Sequence, residues 1–141
     1  MKKLIYILTV LAFCCISCKK AVVDPVEPQL DVTFLNTSGD WKLESWKGEA
    51  VPFQFYIRLK AKEFTMVHNM GSMYMERTTG SYNIITDNYG SYIRGLYDFT
   101  NSYWTHNYKI SSLTASRMEW VATDDANEIQ VFVRTGEFPE E

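Results

Sequence analysis

From Gly39 to Arg134 the chain alternates apolar and polar side chains in short runs, with turn residues between them. Phe53, Phe55, Ile57 and Leu59 oppose Gln54, Tyr56, Arg58 and Lys60. Phe64 and Met66 oppose Thr65 and Val67; Tyr108 and Ile110 oppose Asn107 and Lys109. Met118 and Trp120 oppose Arg117 and Glu119, and Ile129, Val131 and Val133 oppose Gln130 and Phe132. Side chains of a strand point alternately to its two faces, so this period predicts half-buried strands. They fall near 41–47, 53–60, 63–70, 74–86, 91–99, 103–111, 116–123 and 128–134, separated by breaks such as Gly48 with Pro52 and Asp87-Asn88-Tyr89-Gly90. No stretch carries sustained helical spacing. The short connections predict that neighbours in sequence pair in space, and one apolar face per strand predicts a sheet wrapped around one core. Closing it removes both exposed edges. The expected fold is therefore all-β, an eight-stranded antiparallel up-and-down β-barrel, with a flattened β-sandwich as the alternative.

The first residues read differently. Lys2 and Lys3 precede an apolar run from Leu4 to Phe13, too short to span a bilayer and laid out as a secretory signal. Cys15-Ile16-Ser17-Cys18 resembles a bacterial lipobox. That resemblance implies that Cys18 becomes the mature N-terminus and carries acyl chains. Residues 1–17 are thus expected to be a lipoprotein signal peptide, 18–38 a flexible tether containing Pro25 and Pro28, 39–135 the barrel, and 136–141 a C-terminal tail. A tether of that length reaches roughly 60–70 Å fully extended. The expected location is the cell envelope, exported and held by lipid; Lys19 after Cys18 resembles an outer-membrane address.

Charge and cysteines narrow the chemistry. The leader takes two of the 14 basic groups and none of the 17 acidic ones, moving the formal charge from −3 to about −5. A net-acidic chain without a Lys/Arg cluster lacks what phosphate backbones demand, so no nucleic-acid partner is expected. All three cysteines lie in or at the end of the leader, which leaves the barrel without disulfide, thiol nucleophile or cysteine metal site. His68 and His106 are the only histidines, and the acidic run Asp124-Asp125-Ala126-Asn127-Glu128 lacks the glycine and spacing of a calcium loop. No nucleophile elbow or phosphate loop occurs. Neither an enzyme nor a metal or other cofactor is expected.

Gly39-x-Trp41-x-Leu43, with Arg134 after the last strand, resembles the opening and closing signature of the lipocalins. Phe64 after a short turn, Gly80-x-Tyr82-x-Ile84, Tyr108-x-Ile110 with Leu113-Thr114, and Met118-x-Trp120 extend the resemblance to lipocalin-like domains of small Gram-negative lipoproteins. It implies that Trp41 packs across the closed end of the barrel with Arg134 over it. Asp125 follows Thr123-Asp124 where animal lipocalins carry Tyr. Inward Phe55, Phe64, Met66, Tyr82, Tyr108, Met118 and Trp120 are the candidate ligand contacts, and Trp46, Tyr56, Tyr92 and Tyr103 are expected on the outer face. The functional expectation is a monomer that binds a small apolar or amphipathic molecule, or a glycan. The alternative is a filled barrel that docks a protein of the envelope.

Overall fold

The structure, a computed structural model, describes residues 26–141; the expected signal peptide, Cys18 and the first part of the expected tether lie outside the described residues. A single-turn helix α1 (Phe34–Thr37) precedes β1 (Gly39–Trp46), β2 (Glu49–Ala50), β3 (Phe55–Lys60), β4 (Glu63–His68), β5 (Glu76–Asp87), β6 (Gly90–Tyr97), β7 (Tyr108–Leu113), β8 (Arg117–Ala122) and β9 (Ile129–Arg134). The strands pair antiparallel in the order β2-β1-β3-β4-β5-β6-β7-β8-β9, and β1 also pairs with β9. That last ladder, Trp41↔Arg134 through Trp46↔Gln130, closes β1 and β3–β9 into an eight-stranded barrel. β2 is a two-residue return against the end of β1. Continuous pairing around the ring leaves no division into two sheets, which sets aside the sandwich.

The core follows from the alternation. Ile57, Leu59, Phe64, Ile93, Met118, Trp120 and Phe132 are buried inside the barrel with Trp41 and Leu43. On β9 the observed faces are the reverse of those expected. Phe132 is completely buried in the core and Gln130 faces the interior, whereas Val131 is buried outside the central cluster. The register explains it: Phe132 lies opposite Leu43 on one side and Met118 on the other, both inward residues. Trp46 is likewise not on the outer face. The register slips between Leu43 and Ser45, so Glu44 is the extra residue of a bulge and every side chain after it changes face.

Both ends of the described residues are bound to the barrel: the last part of the segment expected as a tether, and the segment expected as a tail. The Glu27 carboxylate accepts from the hydroxyl of Ser116 at 2.7 Å, the Gln29 side chain from the amide of Leu113 at 3.2 Å, and the Leu30 amide donates to the Leu113 carbonyl at 2.8 Å. Leu30, Val32 and Phe34 then pack against the core. Thr33 caps the following turn, its hydroxyl accepting from the Asn36 amide. At the other terminus Phe138 is buried against Tyr56 and Val67 on the outside of β3 and β4. Arg58 lies 4.1 Å from the Phe138 ring centre and pairs with Glu140 at 2.7 Å, and Arg77 donates to the Pro139 carbonyl. Tyr56 lies on the outer face as expected and is covered there by this tail; Tyr103 is exposed and Tyr92 half-buried.

Candidate functional site: the barrel mouth

The two ends of the barrel differ. One has tight turns, Ala61-Lys62, Asn88-Tyr89 and 114–116, together with the N-terminal segment. Here the Arg134 guanidinium lies 4.2 Å above the Trp41 ring and donates to the carbonyls of Ala115, Ser38 and Asn36. The Trp41 indole N–H donates to the Thr37 carbonyl at 2.9 Å, so the fully buried ring keeps its polar atom paired. Gly39 makes room for Arg134: a Cβ there would stand 2.2 Å from its guanidinium nitrogen.

The other end carries the longer connections 47–54, 69–75, 98–107 and 123–128. Between them is a cavity of about 360 Å³. Its aromatic lining is Trp46, Phe55, Tyr97, Trp104, Tyr108 and Trp120. Trp104 and Trp120 stack with ring centres 5.6 Å apart at 27°, and Tyr108 leans on Trp120 at 5.5 Å. Phe132 and Phe64 support these rings from below, at 4.7 Å from Trp120 and 5.1 Å from Trp104. The barrel is thus filled toward the Trp41 end and hollow toward the mouth. Trp104 comes from the β6–β7 connection, its amide bonded to the Gly95 carbonyl. Its indole fits because position 95 has no side chain; a Cβ there would meet the ring at 2.0 Å.

One wall of the mouth is polar. Glu128 is 4% exposed, and its backbone is fixed on both sides by Ala122 and Asp125. Its carboxylate accepts from the Trp46 indole N–H and pairs with the Lys47 ammonium at 3.0 Å. Gln130 donates to the Tyr108 hydroxyl at 3.2 Å. Burial first, and then the negative charge of Glu128, pushes the Tyr108 phenol well above its ordinary value, so it stays protonated. His68 lies flat on Phe55, ring centres 5.5 Å apart, with Nδ1 buried and unpartnered. The Trp120 indole N–H is buried and unpartnered as well. His106 bonds Asp124 at 2.8 Å, which holds that carboxyl below its usual range.

Of the seven candidate contacts, Phe55, Met66, Tyr108 and Trp120 line the mouth. Phe64, Tyr82 and Met118 lie in the filled part, Tyr82 against Phe34 near the closed end. Trp46, His68, Trp104, His106, Glu128 and Gln130 also line the mouth and were not among the candidates. Three of them had a readable signal: His68 continues the face of Phe64 and Met66, and Trp104 and His106 continue that of Tyr108 and Ile110. Among the described residues no group of three or more His, Cys, Asp or Glu side chains could hold a metal ion.

A lipocalin-like protein from Bacteroides uniformis superposes on this chain with a TM-score of 0.55 at 12% identity, over 71% of this chain and 99% of its own. With the closed eight-stranded barrel, this makes the fold lipocalin-like. No protein-family model matches the chain, and no curated protein matches it in sequence.

Proposed function

We propose that this chain is an exported, lipid-anchored, non-catalytic binding protein that takes one small apolar or amphipathic molecule into the barrel mouth. The observation that carries the reading is the hollow, aromatic-walled cavity over an otherwise filled barrel. A side-chain core alone needs no such space, and pockets that are mostly aromatic with a few convergent polar groups are the usual form of a small-molecule site. A lipocalin-like neighbour is in keeping with it. The anchor is proposed from the lipobox resemblance at Cys18. A second reading, a protein partner, draws on Met73 and Tyr74, 92% and 78% exposed on the β4–β5 connection.

Native mass spectrometry of residues 26–141, produced in a bacterial envelope without detergent, tests the binding reading. A bound mass that leaves on denaturation supports it. A bare protein, unchanged after incubation with fatty acids, amphipathic aromatics and oligosaccharides, turns the search to protein partners. Acyl labelling tests the anchor: Cys18→Ala should abolish label incorporation, and a normally labelled variant rejects the lipoprotein assignment.

A further inference from the structure

We propose that the mouth selects an organic cation, a flat apolar ring carrying an amine, with Glu128 as its counter-ion and the aromatic side chains of the mouth as its walls. This rests on the mouth being a binding site and adds the sign of the ligand's charge.

Glu128 is a carboxylate in the lining of an aromatic cavity, 4% exposed. Burying such a charge is costly unless it is paired. Its charged partner is Lys47, whose side chain is 55% exposed and which reaches in from the turn after β1. The Lys47 ammonium stands 3.0 Å from the carboxylate and 5.8 Å from the Trp46 ring centre. The chain's own ammonium therefore occupies the combination, carboxylate plus aromatic face, that recognises amines in general. Being attached at a solvent-exposed turn, it can swing out to let another ammonium take its place. The remaining charges at the mouth point the same way. Asp124 is a second carboxylate, bonded to His106, and Lys47 is the sole lysine or arginine that touches a lining carboxylate among the described residues. A fatty acid or other anion would have to sit beside Glu128 and compete for that one lysine. Trp46, Phe55 and Tyr97, partly exposed in the lining, offer the apolar surface for the ligand's ring, with the buried Trp104–Trp120 stack behind them.

Isothermal titration of residues 26–141, which close around their own core, against three molecules of one shape tests this: tryptamine, its neutral alcohol analogue tryptophol, and indole-3-propionate. Tryptamine should bind about ten-fold more tightly than tryptophol, the carboxylate most weakly, and added salt should narrow the gap. Glu128→Gln should remove the preference while tryptophol still binds. Lys47→Met keeps the carboxylate and removes its internal competitor, so it should strengthen tryptamine binding several-fold, and tryptamine should raise the melting temperature of this variant more than that of the parent. Equal binding of all three, a preference for the carboxylate, or weaker tryptamine binding by Lys47→Met overturns the inference and leaves the binding site standing. Failure of all three to bind overturns the inference, and, with a bare mass in the native spectrum, the reading of the mouth as well.

Discussion

Trp41 sits with no exposed surface, its ring under Arg134 and its N–H on Thr37. Truncation to Ala would remove a large buried ring from a barrel end that cannot collapse around it, and urea unfolding should show a loss of about 3–5 kcal/mol. Gly95 is the opposite case, a position where adding one atom does the damage. Gly95→Ala places a methyl where the Trp104 indole lies. The ring must move, and overpacking of this kind costs about 1–3 kcal/mol. The circular-dichroism signal of the stacked Trp104–Trp120 pair should fall with it, whereas Gly136→Ala, with open space around it, should leave both unchanged. At this scale the sequence was readable where a residue has a neighbour of its own kind on the same face, as His68 has in Phe64 and Met66. It was not readable at Glu128, whose indole partner lies 82 positions away.

Among the elements, the strands were legible because period-two alternation is local, and the bulge in β1 was not, because one inserted residue leaves no mark on composition. Its effect is large: it turns Trp46 into the mouth, opposite Gln130. β9 was misread for a different reason. Val131, Phe132 and Val133 are all apolar, so either face could be the inner one. Arg134 decides it, since a guanidinium over Trp41 puts 134, 132 and 130 on the same side. The tail is an element that only tertiary contact reveals. Phe138→Ala should cost about 2 kcal/mol of apolar burial, and ending the chain after Thr135 should cost at least as much. A truncated chain that melts with the parent would mean the tail adds nothing.

For the whole molecule, three acidic groups fasten connections and ends to the barrel. Hydrogen bonds from Ser116, Arg58 and His106 hold Glu27, Glu140 and Asp124, respectively, below their ordinary values. A carboxyl depressed in the folded state stabilises fully above the ordinary carboxylate range, and that contribution is lost as pH falls through the folded value. Acid should therefore loosen the N-terminal segment, the tail and the 123–128 connection before the barrel opens. Hydrogen exchange at about pH 3 should show early exposure at the Leu30 amide while Ile57 and Phe132 stay protected; equal loss at all three would refute it. The N-terminal attachment has one more consequence. Glu27 is clasped to Ser116, beside the β7–β8 turn at the end opposite the mouth. With Cys18 as the proposed anchor, the chain from Cys18 to Glu27 could reach at most about 30 Å, half the roughly 60–70 Å of a tether running to residue 38. Under that proposal the leash would leave from the barrel's base, and the mouth would be the part of the barrel farthest from its point of attachment.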